Sequence, residues 1–354
     1  MMFRNLAGLG LAALAIASLP LPSSAAEIGM TPARWDADGQ ISFSKRDGFP
    51  NGVLTVNGAG ATVKGMQFSN GTIEYDINED GDEMETSGVW FRRQDKNTSE
   101  YLYLRPFEGC ADGGECIQYA PVVRGKVQWD VYPEYQAAAP LHLTGWNHIK
   151  LVVSGKQMRV YLNREATPVL KVGSLEGNAM SGGVQLRGNA SYANVVVTPD
   201  AVEGLDPAQA ADPTALDPGY VRHWLLSPMS TIAVGKEVKA GDMPTFADWE
   251  RIDAERKGFV NISRHHGTPG GEPDLIWLKT TINSERAQEK HVKLGFARQV
   301  WIFANGKRVY VDKNFYYPAT ARKNPLGRMA IENGEFQLPL QSGSNEIVIA
   351  ISND

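Results

Sequence analysis

Between residues 72 and 106 the sequence TIEYDINEDGDEMETSGVWFRRQDKNTSEYLYLRP gathers side chains suited to holding or cleaving a polar ligand. Carboxylates stand at Glu74, Asp76 and Glu79, guanidinium groups at Arg92 and Arg105, and aromatic plates at Trp90, Tyr101 and Tyr103. Further on, Gln128 and Asp130 alternate with Val127, Trp129 and Val131 and extend the same polar set. Aromatic rings beside paired hydrogen-bonding groups suit a sugar, whose axial hydrogens stack while its hydroxyls are bonded. Two carboxylates about 5 Å apart would instead break a glycosidic bond, one as nucleophile and one as acid/base. Plain strand packing competes with both, because cross-strand aromatic and ion pairs stabilise any sheet by roughly 0.2–1 kcal/mol each.

Alternation tells which elements must carry these groups, since successive strand residues point to opposite faces. Ile73, Tyr75 and Ile77 share one face of a first strand, with Glu74 and Asp76 on the other. Val89 and Phe91 oppose Trp90 and Arg92 in a second, and Leu102 and Leu104 oppose Tyr101, Tyr103 and Arg105 in a third. Packed as antiparallel neighbours, the three strands put every aliphatic side chain in a core. The other face then carries Glu74, Asp76, Trp90, Arg92, Tyr101, Tyr103 and Arg105. The run WNHIKLVVSGKQMRVYLN (146–163) reads as a hairpin turning at Ser154-Gly155-Lys156, with Ile149, Leu151 and Val153 inward.

Three of these runs occur in a familiar order: Gly71-x-Ile73-Glu74-x-Asp76, Gly88-Val89-x-Phe91-Arg92, and Trp146-Asn147-x-Ile149-Lys150-Leu151 closing on Tyr161-Leu162-Asn163. Roughly residues 30 to 199 resemble the concanavalin A-like, laminin G-type jelly roll, whose concave sheet often binds glycans. Glu74-x-Asp76-x-x-Glu79 is similar to the arrangement of family 16 glycoside hydrolases. That likeness implies Glu74 as nucleophile, Asp76 as helper and Glu79 as acid/base, and it requires a bulge, because Glu79 otherwise points away from Glu74. Residues 220 to 354 resemble the galactose-binding-like jelly roll, through Val300-x-Ile302-Phe303-x-Asn305-Gly306-Lys307 and Leu340-x-x-Gly343-x-Asn345-Glu346-Ile347. Asn305-Gly306 predicts a two-residue hairpin turn. A short helix is expected from Phe246 to Glu255, with Thr245 as its cap.

Composition sets the frame. Arg4 followed by the apolar stretch Leu6 to Leu19 and by Ser24-Ala25-Ala26 reads as an export signal, residues 1–26. No later stretch approaches the 18 or so apolar residues of a membrane helix, so the mature chain is not expected to span a membrane. The formal charge is −5 with no basic stripe, which argues against nucleic acid as a partner. The only two cysteines, Cys110 and Cys116, predict a structural disulfide in an oxidising compartment. An EF-hand is excluded because its twelfth position is Ser87, but Asp80, Asp82 and Glu83 would suit a looser calcium site. His265-His266 lacks a third histidine and reads as surface. The proline- and alanine-rich run 199–219 reads as a linker.

The sequence thus predicts an all-β chain of two β-sandwich (jelly-roll) domains, 27–198 and 220–354, joined by a Pro/Ala-rich linker. It is expected in the periplasm or secreted, without a cofactor unless a structural calcium binds. The function expected is non-catalytic carbohydrate binding on the concave face of the first sandwich, through Glu74, Asp76, Trp90, Arg92, Tyr101, Tyr103, Arg105, Gln128 and Asp130. The alternatives are a family 16-like glycoside hydrolase and a structural or protein-interaction module.

Overall fold

The computed structural model describes residues 24–79, 86–245, 248–267 and 274–352. The chain is all-β, with antiparallel strands throughout. In the first half they form one curled sheet whose spine is the 17-residue strand Gly183–Pro199. One edge of the spine pairs with Phe49–Val63. The other edge is shared in succession: Gly183 to Arg187 pair with Ser87–Arg93, and Ala190 to Pro199 pair with Gly71–Glu79. Thr98–Leu104, Ile117–Val123 and Gln136–Ala137 continue outward from the first of these, and Asn147–Ser154, Gln157–Leu162 and Leu170–Val172 from the second.

Register shifts at Gly188/Asn189 and between Ala193 and Val196 bend the spine. A bulge adds a residue on one strand and sharpens the local twist, so the sheet curls round a single core. Val89, Phe91 and Leu102 meet Ile73, Tyr75, Ile149 and Leu151 there. Only glycine fits at 188, because φ is +105 and a Cβ would lie 2.4 Å from Ser87 Oγ.

Residues 200–222 run back along this domain, tied down by Lys156 N–H to Pro207 O (2.9 Å), Ala210 N–H to Gly173 O (2.8 Å) and Gln209 Nε2 to Ser174 Oγ (2.7 Å). In the second half, Glu250–Asp253, His223–Leu226, Asp274–Ser284, Gly343–Ser352, Arg298–Ala304 and Lys307–Asn314 form a sheet in that order. Leu278, Ile302 and Ile349 on one face pack with Leu338 of the paired strands Gln288–Leu294 and Gly334–Leu340. Trp277, Trp301 and Phe303 fill the other face under Ile232, Val238, Met243 and Trp249. Asn305 (φ 50) and Gly306 (φ 76) make the expected turn. Glu250–Asp253 is a strand against His223–Leu226 rather than part of a helix, because that sheet edge offers it four ladder partners.

The two halves meet along a seam. Cys110 and Cys116 are disulfide-bonded, and their loop presents Glu115 to Arg328 of the second half at 2.5 Å. Arg328 is fully buried, over the rings of Trp129 (5.3 Å) and Tyr316 (5.9 Å). Removing one partner of a buried ion pair strands the other charge. Glu115→Ala or Arg328→Ala should therefore each cost about 3–5 kcal/mol, read from urea unfolding. The double variant should cost clearly less than the two together, and strictly additive losses would mean the pair is not coupled.

Candidate functional site

Gly71–Glu79 alternates as its sequence requires: Ile73, Tyr75 and Ile77 enter the core, and Glu74 and Asp76 face outward. Its neighbour Asn147–Ser154 does the same, with Ile149, Leu151 and Val153 inward. Register sets His148 opposite Asp76 and Lys150 opposite Glu74. Directly opposed strand residues share a face, so the four side chains form one outward cluster.

The cluster is ordered by its own charges. His148 Nδ1 lies 2.6 Å from Asp76 Oδ1, and Asn194 Nδ2 donates to Asp76 Oδ2 at 2.7 Å. His148 Nε2 faces Glu74 Oε2 at 3.5 Å, so the imidazole bridges two carboxylates. Burial alone would raise the Asp76 carboxyl. The hydrogen bonds from His148 and Asn194, with the positive charges of His148 and Arg164, outweigh it and hold Asp76 below the ordinary carboxylate range. Both carboxylate oxygens of Asp76 are thereby engaged, Oδ1 by His148 and Oδ2 by Asn194.

Above this floor opens a cleft of about 600 Å³ whose lining includes Glu74, His148, Lys150, Tyr161, Arg164 and Asn194, together with Glu27, Asn51, Glu165 and Glu203. Lys150 pairs with Glu203 and lies 5.8 Å above the centre of the Tyr161 ring. Such a surface offers donors and acceptors of both charges beside a partly exposed ring.

The sequence-predicted residues do not converge in one place. Gly71–Glu79 and Ser87–Arg93 are not neighbours, as they occupy successive lengths of the spine. Trp90 pairs with Gln185 and Glu74 with Val196, eleven spine residues away, at most ~36 Å at the usual strand rise. Glu74 and Asp76 line the cleft or its floor, whereas Trp90, Tyr101 and Tyr103 form a separate packed patch. Their exposures are 7, 5 and 2 %, because Ala120, Val122 and Trp129 pack on them and Arg187 lies 4.3 Å from the Trp90 ring centre. An open face at these three residues is therefore corrected to a filled one.

Arg92 does not face outward. A register shift at the end of its strand and a φ of +50 turn it inward. It donates there to Ser69 O (2.8 Å from Nε) and Gly155 O (2.9 Å from Nη2), fully buried. Arg105, Gln128 and Asp130 serve the seam. Arg105 donates to the Tyr103 hydroxyl (3.1 Å) and faces Glu115 (3.7 Å). Gln128 accepts from Asn261 Nδ2 (2.7 Å), and Asp130 pairs with Arg298 (3.2 Å).

The hydrolase arrangement also fails geometrically. The register shift between Ala193 and Val196 puts its extra residue on the spine, and Gly71–Glu79 itself runs unshifted against Asn147 to Val153, so the motif strand lacks the required bulge. Glu79 points inward beside Tyr75 and Tyr192, away from Glu74. The calcium candidates Asp80, Asp82 and Glu83, and residues 1–23 of the export signal, lie outside the described residues. His265 and His266 are half-buried; His265 Nδ1 faces Glu250 (3.1 Å) and His266 Nε2 faces Ser227 O (3.0 Å). The sequence reading missed His148, Lys150, Tyr161, Arg164 and Asn194. His148 and Lys150 alternate with the inward Ile149, Leu151 and Val153, and that second face was the available signal.

No protein family and no curated protein matches the chain. Solved lectin-type β-sandwiches are similar to about half of it. A carbohydrate binding module (CBM66) from Bacillus subtilis is 13 % identical over 49 % of this chain and 94 % of that one, with a TM-score of 0.33. A Bacillus subtilis protein with a galectin-like fold is 13 % identical over 50 % and 97 %, TM-score 0.35. A Bacteroides ovatus mixed-linkage glucan GH16 protein is 11 % identical over 52 % and 91 %, TM-score 0.34.

Burial pushes the Glu79 carboxyl up to about 8, against the opposing Ser87 hydroxyl and amide. A raised acid binds its proton more tightly folded than unfolded. Stability should therefore fall as pH rises from the unfolded value of about 4.3 towards 8. Glu79→Gln should remove that slope, stabilising the protein at pH 8 by on the order of a few kcal/mol and little at pH 4. Parallel pH–stability curves for parent and variant would refute it.

Proposed function

We propose that the protein binds carbohydrate in the cleft above Asp76 and His148. One observation carries the proposal. It is an open, outward-facing cleft whose hydrogen-bonding groups are fixed in place by ion pairs before any ligand arrives. Carboxylates accept from sugar hydroxyls, Asn194 both donates and accepts, and the Tyr161 ring offers a plate for the sugar's apolar face. Pre-ordered groups reduce the side-chain entropy lost on binding.

This reading moves the ligand from the aromatic patch to the neighbouring stretch of the same sheet. The patch around Trp90 has little surface to give. Hydrolysis by Glu74 and Glu79 finds no support in a strand that points them apart, which favours a binding role over a catalytic one. The closed Cys110–Cys116 disulfide and the leader-like start support export to an oxidising compartment.

A glycan array with the parent protein, followed by titration of its hits, tests the proposal. Glu74→Ala and His148→Ala should each weaken those hits about tenfold or more, with folding preserved because both side chains leave the core intact. Hits retained at parental affinity in both variants would place the ligand elsewhere.

A further inference from the structure

Arg164 stands apart from the other charges of the cleft. Lys150 is committed to Glu203, His148 to Asp76 and Glu74, and Glu27 accepts from Asn51 at 3.2 Å. Arg164 lines the same cleft, is exposed, and makes no hydrogen bond or ion pair among the described residues. Its charge nevertheless reaches Asp76 on the floor.

Its placement is built rather than incidental. Asn163 (φ 50) and Arg164 (φ 63) are two successive non-glycine residues in the left-handed region, where most side chains are disfavoured. The turn is held by three bonds to the strand that carries His148. Asn163 N–H donates to His148 O (2.7 Å), His148 N–H donates to Asn163 Oδ1 (2.8 Å), and Asn163 Nδ2 donates to Asn147 Oδ1 (3.3 Å). The clamp that fixes the backbone of His148 thus also carries the guanidinium to the cleft.

Resting on the cleft as the glycan site, the geometry points to a carboxylated sugar, a uronic acid carried on an otherwise neutral glycan, as the ligand. Its carboxylate takes the paired hydrogen bonds of the Arg164 guanidinium, and its hydroxyls go to Glu74 and Asn194. The surroundings set the charge of that ligand. Glu27, Glu74, Glu165 and Glu203 ring the cleft, and the chain carries −5. A polyuronate would bring many negative charges to an acidic rim, whereas an isolated acid sugar brings one charge to Arg164, the cleft cation left without an ion pair among the described residues.

The test is a matched panel of cello-, xylo-, laminari- and galacto-oligosaccharides, each titrated beside a counterpart carrying one glucuronic or galacturonic acid. At least one acid-bearing member should bind about tenfold or more tighter than its neutral partner at ~0.15 M salt, and less so at ~1 M. Arg164→Gln should lower the acid-bearing affinities about tenfold more than the neutral ones, so that the difference within each pair disappears, which a merely structural role would not do. Equal affinity within every pair, an advantage that survives Arg164→Gln, or no binding by any acid-bearing member overturns the inference. If Glu74→Ala still weakens binding of the neutral members about tenfold, the cleft stands without it. If Glu74→Ala and His148→Ala leave every affinity unchanged, the cleft falls as well.

Discussion

Everything in the first domain depends on how one strand satisfies its backbone. Gly183–Pro199 is hydrogen-bonded on both edges for most of its length. Unpaired N–H and C=O groups in a buried strand would each cost about 1–3 kcal/mol, so a strand this long must find partners along its whole course. It finds two on one edge, in succession, and bends between them at Gly188/Asn189. That bend decides what the outer surface can assemble. The outward side chains of Ser87–Arg93 and of Gly71–Glu79 point away from one core, yet the spine keeps them in separate patches.

The two patches meet opposite fates for electrostatic reasons. The aromatic patch leads into the seam, where Arg328 brings a charge that burial penalises unless it is paired. Glu115 supplies the countercharge, and the rings of Trp129 and Tyr316 flank the guanidinium. The disulfide loop gains a second use in this arrangement. Besides closing a small ring, it holds a carboxylate within reach of a cation 213 residues further along the chain. Gln128 and Asp130, outwardly polar in the sequence, are consumed by the same seam. Polar residues at such a joint resemble a ligand site in composition, since both must satisfy desolvated groups.

Much of the fold was legible because periodicity reports a local property. Alternation in 71–79, 87–93, 98–104 and 147–154 gives inward sets that the core bears out, and Asn305-Gly306 gives its turn. Pairing was not legible. Adjacency in sequence suggests that Gly71–Glu79 and Ser87–Arg93 are neighbours in space, and Gly71–Glu79 instead joins Asn147–Ser154 and Gly183–Pro199. Arg92 shows a smaller version of the same limit, because one bulge inverts a residue that alternation places outside. Glu74 and Asp76 stand out in the sequence, but the partners that the fold gives Asp76, His148 and Asn194, lie 72 and 118 residues from it. No short motif spans such distances.

The open patch owes its character to the pairing that hid it. Placing Asp76 opposite His148 and Glu74 opposite Lys150 sets acids against bases across two strands. Alone, each of these groups would draw water or fold back on its neighbours, and a ligand would have to order it. Paired, they cancel much of one another's charge and hold fixed directions. Asp76 is held at one oxygen by His148 and at the other by Asn194, so its bonding capacity is largely spent on fixing the imidazole rather than on a ligand. In the proposed site it positions rather than binds, and the groups that face the cleft include the second side of His148, Glu74, Tyr161, Arg164 and Asn194. These two strands serve the core through Ile73, Tyr75, Ile149 and Leu151, which leaves the opposite face unconstrained by packing. The charges there are set instead by one another, and that freedom is what the proposed binding role requires.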